Sequence, residues 1–155
     1  MKIGLGYDVH AFAEDRRLIL GGVEIPYDRG LAGHSDADVL THAVCDALLG
    51  AAGMGDIGEH FPDTDPRYKD ANSLDLLKET WRRIHPHHQT IINMDATIFA
   101  QAPKLSSYKA AMRAQLAAVL NIPADRVNIK ATTTERLGSI GRGEGIAAMC
   151  VALID

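Results

Sequence analysis

The stretch Ile3-Gly4-Leu5-Gly6-Tyr7-Asp8-Val9-His10-Ala11-Phe12 alternates between two sets of side chains, which is the pattern of a β-strand with two different faces. One face carries the apolar residues Ile3, Leu5, Tyr7 and Val9, and the other carries Gly4, Gly6, Asp8 and His10. The next long periodic segment, residues 36–52, repeats its apolar residues at helical spacing instead. The chain is therefore predicted to begin with a strand and to continue into a helix.

The remaining sequence supplies further strands and helices in mixed order. Short apolar runs at 18–20 and 23–25 flank two glycines, which predicts a hairpin region. Ser35 is the predicted N-cap of the first helix, with Asp38 in the position of the capping-box acid. Later predicted elements are a helix capped by Asn72 or Ser73 that ends before Pro86, a strand at 90–101, a helix at 104–120, and strands near 127–131 and 146–153. Because strands and helices mix and several strands can pair antiparallel, the predicted class is α+β.

Composition and charge restrict what the protein can bind. The 155 residues are 46% apolar and 23% charged, with a formal net charge of −4. This charge argues against a nucleic-acid partner, because nucleic acid is bound through clustered Lys and Arg. No run of 18 apolar residues predicts a membrane span, and no signal peptide precedes the first strand, so we expect a cytoplasmic protein. Cys45 and Cys150 lie in apolar segments and are expected to be buried thiols.

Asp8, His10 and His42 are the first candidates for a chemical site. Asp8 and His10 are two residues apart on a strand, so their side chains project from one face. His42 has Asp38 and Asp46 four residues to either side, and we expect one of them to accept the proton of the imidazole nitrogen that does not face a metal. Three N/O ligands leave one position of a tetrahedral zinc site open, which is typical of catalytic zinc. On spacing alone, a solvated helix face with a lone histidine explains His42 equally well.

Two further segments carry groups suited to phosphate oxygens. His34 and Ser35 precede the helix, where free N–H groups attract anions, although capping alone is sufficient reason for Ser35. Residues 130–135, Lys-Ala-Thr-Thr-Thr-Glu, end a strand with three hydroxyls, and the carboxylate of Glu135 suits a hard cation such as Mg²⁺. Residues 141–145 are better explained as a tight turn than as a phosphate loop, because they lack P-loop spacing. A histidine-rich segment is interpreted as a solvated turn: His85, His87 and His88.

Together these segments closely resemble the family of 2-C-methyl-D-erythritol 2,4-cyclodiphosphate synthases of the non-mevalonate isoprenoid pathway. The resemblance extends over essentially the whole chain and is to the monofunctional form, since no cytidylyltransferase domain is present. The motifs that carry it are GYDVHAF at 6–12, GGV at 21–23, HSDAD at 34–38, HA at 42–43, DA at 46–47, GDIG at 55–58, FPDTDP at 61–66, AQAPK at 100–104, KATTTE at 130–135 and GRGEG at 141–145.

The resemblance implies a reaction. The substrate would be 4-diphosphocytidyl-2-C-methyl-D-erythritol 2-phosphate, whose 2-phosphate attacks the β-phosphorus so that CMP leaves and a cyclic diphosphate closes. An enzyme of this kind is a phosphorus–oxygen lyase. Such chemistry requires a polyanion to be folded onto itself and its charge to be neutralised, more than it requires covalent participation of the protein.

The resemblance also implies roles for individual residues. Zinc would be held by Asp8, His10 and His42, and a second divalent cation, Mg²⁺ or Mn²⁺, by Glu135. His34 and Thr133 would be catalytic residues that stabilise the transition state. The substrate would contact all of these and also Ser35, Asp56, Ile57, Gly58, Phe61, Asp63, Asp65, Thr134 and Arg142. The cytosine pocket would consist of residues 100–105 with Ala131 and Thr132. The substrate contacts implied along this stretch are Ala100, Pro103, Lys104, Leu105 and the adjoining Ser106.

The expected fold is a single α+β domain over residues 1–155, with a mixed β-sheet covered on one face by helices in a ferredoxin-like arrangement. The resemblance implies a homotrimer with active sites between subunits, so that nucleotide-binding and metal-binding residues come from different chains. Two other functions remain open. One is a zinc phosphohydrolase that releases a linear phosphate through a metal-activated water. The other is a metal- or nucleotide-binding module without catalytic activity.

Overall fold

A five-stranded mixed β-sheet lies at the centre of the protein, in a computed structural model that describes residues 1–86 and 90–155. The strands are β1 (Lys2–Ala13), β2 (Leu18–Leu20), β3 (Val23–Ile25), β4 (Gly30–Leu31), β5 (Ile91–Phe99), β6 (Val127–Thr132) and β7 (Gly145–Ile154). The sheet has the order β4-β1-β7-β5-β6, and β2 and β3 form a separate hairpin. The β5–β6 pair is parallel, whereas β1 pairs antiparallel with β4 and β7, and β7 pairs antiparallel with β5.

The long helices pack on one face of this sheet. The helices are α1 (Val39–Ala52), α2 (Ile57–His60), α3 (Ser73–Ile84), α4 (Lys109–Leu120) and α5 (Gly138–Gly141), with 3-10 turns at Pro66–Tyr68 and Ala124–Arg126. Helix α1 packs on β1 and β7, α4 packs on β6, and α3 contacts both α1 and α4. Within the two described ranges, no helix is long and apolar enough to cross a membrane. The predicted solvated turn lies in part outside the described residues, at His87 and His88.

The chain is α+β with a mixed sheet, as predicted, but the order of its elements departs from the predicted ferredoxin-like arrangement. That arrangement runs β-α-β-β-α-β. Here α4 joins the parallel strands β5 and β6, because parallel strands need a long crossover, and β7 follows without a long helix between. The main strands and long helices therefore run β-α-α-β-α-β-β, and β7 enters the middle of the sheet between β1 and β5.

The face of β1 that packs on α1 is the glycine face, and the apolar face is exposed. The exposed fractions on the apolar face are 70%, 60%, 53% and 48% for Ile3, Leu5, Tyr7 and Val9. A methyl group on Gly4 or Gly6 would come within 2.0 Å of a carbonyl oxygen of α1, that of Ala47 or that of Ala43. The absence of side chains therefore lets the helix lie directly on the strand, and it leaves a contiguous apolar sheet face for other contacts.

We expect Gly4→Ala to destabilise the protein and Gly50→Ala to stabilise it. A methyl group at Gly4 has to displace the backbone of α1, which costs about 1–3 kcal/mol. At Gly50, within α1, the nearest atom to a new methyl group lies 3.8 Å away, so the substitution gains helix propensity worth about 0.5–1 kcal/mol. Urea denaturation measures the free energy of unfolding of both variants. An unchanged transition midpoint for Gly4→Ala would contradict the close contact.

The N-cap of α1 is Asp38, and the prediction of Ser35 was wrong. The side chain of Asp38 accepts a hydrogen bond from the backbone N–H of Thr41 at 3.0 Å. Its carboxylate also accepts from the backbone N–H groups of Gly21 and Gly22 at 2.8 and 2.7 Å. Burial raises the pKa of Asp38, and these donors oppose that rise. Asp38 thereby joins the start of α1 to the turn between β2 and β3, so its carboxylate is not the partner of His42.

Candidate metal centre and adjoining cavities

The predicted metal ligands meet at the N-terminal end of α1. Gly4 and Gly6 contact this helix at positions one turn apart, so a two-residue step along β1 corresponds to a four-residue step back along α1. These steps are about 6.6 Å and 6 Å long, which is why the strand and helix stay in register. The next step along the same face of β1 brings Asp8 to the first turn of α1, beside His42.

The three ligand atoms lie at distances that suit one small cation. Asp8 Oδ2 is 2.9 Å from His10 Nε2 and 3.0 Å from His42 Nδ1, and the two nitrogens are 3.3 Å apart. Ligand atoms of a tetrahedral zinc site would be about 3.3 Å from one another, as follows from zinc–ligand bonds of about 2.05 Å. All three residues are half-buried. One carboxylate and two imidazoles at this spacing fit a divalent metal ion.

The arrangement of hydrogen-bond acceptors in this cluster also requires a cation between them. His10 Nδ1 lies 2.6 Å from the carbonyl oxygen of Ala32, which only accepts, so Nδ1 carries the proton. The Nε2 lone pair of His10 then faces Asp8 Oδ2, a second acceptor, and only a proton or a metal can sit between them. Burial lowers the pKa of His10, but the hydrogen bond to Asp8, the negative charge of Asp8 and the hydrogen bond to Ala32 together raise it. Burial likewise raises the pKa of Asp8, and the two histidines together reverse this and hold it well below its usual range.

The second nitrogen of His42 is held by serines and not by the predicted Asp46. Nε2 lies 2.9 Å from Ser73 Oγ and 3.3 Å from Ser35 Oγ. Asp46 instead accepts a hydrogen bond from the backbone N–H of Ile57 at 2.8 Å, which places the start of α2. Ser73 follows His42 by 31 residues and begins a different helix, so no local spacing in the sequence pointed to this contact.

A cavity of about 490 Å³ opens beside the metal ligands. The predicted site residues that line it are His10, His34, Ser35, His42, Ile57, Gly58, Phe61 and Asp63. Tyr68 and Leu76 also line it and were not predicted, since an aromatic residue in a loop and a leucine in a helix look like ordinary packing residues. Three residues predicted to contact the substrate beside these ligands do not line it: Asp8, Asp56 and Asp65. Asp8 faces the two histidines, and Asp56 and Asp65 are the N-caps of short helical turns.

The segment after α2 forms one wall of this cavity and is anchored by an aromatic cluster. The rings of Phe61 and Tyr68 meet edge to face, with their centroids 5.3 Å apart. The guanidinium of Arg83 in α3 lies 4.9 Å from the centroid of Phe61. His60 Nε2 donates to the carbonyl oxygen of Met54 at 2.7 Å. These contacts hold Phe61 at the cavity wall.

A second cavity, of about 200 Å³, gathers the predicted cytosine pocket. Its predicted lining residues are Ala100, Pro103, Lys104, Leu105, Ser106, Ala131, Thr132 and Thr133. Gln101, which lies within the predicted range 100–105, lines it as well, and so does Lys109, which was not predicted. The backbone N–H of Arg136 donates to Gln101 Oε1 at 3.0 Å, which ties the loop after β6 to the loop after β5. The pocket is thus built from the segments that follow two parallel strands.

Thr134 and Glu135 follow the residues that line this second cavity, and Arg142 lies elsewhere. Thr133 Oγ1 donates to Glu135 Oε1 at 2.9 Å, and the carboxylate of Glu135 is exposed. Thr134 donates through its hydroxyl to a backbone carbonyl of the following turn at 2.8 Å. Arg142 forms an exposed ion pair with Glu144 at 2.6 Å. The structure therefore brings Glu135 beside the threonines and leaves Arg142 apart from both cavities.

The two cavities open at the same end of the sheet. Asp8 pairs with Ala148 on β7, Ala148 pairs with Ile98 on β5, and Ile98 pairs with Ala131 on β6. Three strand spacings separate β1 from β6, which corresponds to about 14 Å between the metal ligands and the second cavity within one chain. A larger cavity, of about 600 Å³, opens between α3 and the segment after α4, and none of the predicted site residues lines it.

Both the sequence and the fold of this chain are similar to those of known proteins. The YgbB family model matches residues 1–155. The curated 2-C-methyl-D-erythritol 2,4-cyclodiphosphate synthase of Desulfosudis oleivorans is 62% identical over 154 residues, which cover 99% of this chain and 92% of that protein. A structure of the bifunctional IspDF from Campylobacter jejuni has a TM-score of 0.94 at 49% identity and covers 97% of this chain, which spans 41% of that one. A CDP-bound form of 2C-methyl-D-erythritol-2,4-cyclodiphosphate synthase has a TM-score of 0.90 at 36% identity, covering 99% of this chain and 100% of that one.

Proposed function

This chain belongs to the YgbB family, and we propose that it converts 4-diphosphocytidyl-2-C-methyl-D-erythritol 2-phosphate to 2-C-methyl-D-erythritol 2,4-cyclodiphosphate and CMP, as a lyase of the non-mevalonate isoprenoid pathway. An oxygen of the 2-phosphate forms a bond to the β-phosphorus. The bond from the β-phosphorus to the oxygen that bridges it to the α-phosphate breaks, and CMP leaves with that oxygen. The observation that carries the proposal is the cluster of acceptor atoms on Asp8, His10 and His42 beside a cavity of about 490 Å³.

The metal at this cluster is assigned as zinc, since one carboxylate and two imidazoles are a donor set that zinc takes in catalytic sites. When bound, zinc would supply a Lewis acid that polarises and orients the β-phosphate. Glu135 is assigned to a second divalent cation, magnesium or manganese. Its exposed carboxylate lies beside the hydroxyl of Thr133, and such oxygen ligands suit a hard cation shared with phosphates.

The two cavities divide the substrate between them. The cytidine part would occupy the pocket after β5 and β6, where Lys104 supplies positive charge near the phosphates and backbone groups read the base. The methylerythritol phosphate would occupy the first cavity, where Asp63 can accept hydrogen bonds from hydroxyl groups. His34 lines this cavity and Thr133 lines the other. In a site shared between two subunits, His34 of one chain and Thr133 of its neighbour would both donate hydrogen bonds to the transferred phosphate as negative charge develops.

The proposed assembly is a homotrimer with active sites between subunits. The exposed apolar face of β1 supports it, because Leu5 and Tyr7 pair with Val151 and Met149 on β7, which are also 37% and 36% exposed. A contiguous apolar sheet face on a protein with a net charge of −4 is best explained as a buried interface. With such an interface, the metal cluster of one chain would meet the nucleotide pocket of its neighbour.

Identification of the reaction product tests this function. The zinc-loaded protein is incubated with 4-diphosphocytidyl-2-C-methyl-D-erythritol 2-phosphate, and the products are identified by ³¹P NMR. We expect CMP and the cyclic diphosphate in equal amounts. Removing the metal with a chelator should abolish the reaction, and adding zinc back should restore it. A linear phosphate product would indicate a phosphohydrolase. Tight CMP binding without turnover would indicate a binding module.

A further inference from the structure

We propose that Ser73 and Asp36 are positioning residues of the metal centre: a hydrogen-bonded chain from Asp36 through Ser73 fixes the ring of His42 with Nδ1 turned to the metal. The inference rests on the proposed role of His42 as a metal ligand and extends it to two residues that do not touch the metal. Ser73 is fully buried at the first position of α3, and Asp36 lies in the segment before α1. This hydrogen-bonded chain therefore connects α3, through Ser73, to α1, through His42.

The direction of the hydrogen bonds decides which nitrogen of His42 is free. Ser73 Oγ donates its single proton to Asp36 Oδ1, because a carboxylate oxygen only accepts. Toward His42, 2.9 Å away, the hydroxyl then offers only a lone pair. Nε2 of His42 must carry the ring proton and donate it to Ser73, so Nδ1 is left unprotonated. Nδ1 is the atom that lies 3.0 Å from Asp8 Oδ2 in the ligand cluster.

Asp36, the last residue of this hydrogen-bonded chain, is itself held in place by backbone groups. Its Oδ2 accepts a hydrogen bond from the backbone N–H of Ser73 at 3.0 Å, and its Oδ1 accepts from that of Asp38 at 3.3 Å. Its own backbone N–H donates to the carbonyl oxygen of Ala71 at 3.1 Å. A carboxylate at the end of such a chain increases the electron density on the imidazole, and residues of this kind change metal affinity by about 10–100-fold.

Ser35 is a second neighbour of His42 Nε2, but its geometry suits a different task. Its Oγ lies 3.3 Å from Nε2 and already accepts a hydrogen bond from the backbone N–H of Ala37 at 3.1 Å. Ser35 also lines the cavity beside the metal ligands, where a substrate would contact it. Ser73 is the nearer of the two serines to Nε2 and is fully buried, so a substitution there removes no contact with a substrate.

The test measures zinc affinity by competition with a chelator, together with the absorption spectrum of the cobalt-substituted protein. Ser73→Ala is expected to weaken zinc binding about 10–100-fold and to alter the cobalt spectrum, and Ser73→Thr, which keeps the hydroxyl, is expected to restore most of the affinity. Asp36→Asn should weaken binding in the same direction, and it decides the matter if Ser73→Ala does not fold.

The matched control is Asn72→Ala, which removes the side-chain cap of α3 without touching the chain to His42. It should lower the melting temperature and leave zinc affinity within about twofold of the unchanged protein. If Ser73→Ala and Asp36→Asn behave like this control, the contacts only stabilise the helix start and the positioning role is overturned. If the unchanged protein binds no zinc, or His42→Ala still binds it, the proposed metal site itself fails.

Discussion

His42→Ala is expected to lower the zinc content well below one ion per chain and to slow CMP release by at least about a thousandfold. The substitution removes one of three ligand atoms and leaves Asp8 and His10, whose Oδ2 and Nε2 atoms lie 2.9 Å apart. These two groups can share a proton instead of a metal, because Asp8 raises the pKa of His10. In this variant, Asp8 and His10 would therefore form an ion pair with each other. Elemental analysis of the purified variant and the rate of CMP release are the two measurements.

The control for this experiment is His85→Ala. His85 is an exposed histidine at the end of α3, where its ring stands edge-on to Trp81 with the centroids 5.5 Å apart. This variant should retain one zinc per chain and nearly full activity. Full zinc occupancy in His42→Ala would show that the ligand assignment is wrong. Zinc loss with unchanged CMP release would show that the metal has no part in the reaction.

Local geometry made Asp8, His10 and His42 candidates for a ligand cluster, but the family resemblance was needed to prefer a metal site over a solvated helix face. Asp8 and His10 share a strand face by the two-residue period, and the structure brings both of them to His42. The position of His42 in α1 followed from helical spacing. The partner of its second nitrogen did not follow, since Ser73 belongs to a helix that begins 31 residues later. Contacts between distant segments depend on packing, which spacing does not encode.

The sequence pattern also did not predict that the apolar face of β1 would be the exposed one. Alternation shows that a strand has two faces, but it does not show which face a helix will cover. Here the helix covers Gly4 and Gly6, because only residues without side chains permit so close an approach, and the bulky face with Leu5 stays exposed. The ferredoxin-like expectation failed for a similar reason. The elements were identified, but the place of β7 in the middle of the sheet depends on long-range pairing.

Mixed assemblies of two inactive variants are expected to regain activity, which tests whether each site is shared between subunits. His42→Ala removes the metal half of a site. Lys104→Glu places a negative charge at the exposed mouth of the nucleotide pocket and should reduce activity about a hundredfold. The Lys104→Glu chain keeps an intact metal cluster, and the His42→Ala chain keeps an intact nucleotide pocket. If each site combines the metal cluster of one chain with the nucleotide pocket of the next, these two intact halves together form a complete site. A trimer that contains both variants has three such sites around its ring, and about one third of them have this combination, whichever variant is present twice.

The two variants should be co-expressed with different tags, so that mixed assemblies are purified through both tags before CMP release is measured. Assemblies of one variant carrying both tags are the control, and they should stay inactive. If both halves of a site came from one chain, every site in the mixture would carry a defect, and co-assembly would give no gain over the separate variants. Activity at about one third of the sites requires that each chain completes the site of its neighbour around a closed ring. The exposed apolar face of β1 and the separation of about 14 Å between the two half-sites within one chain favour this arrangement.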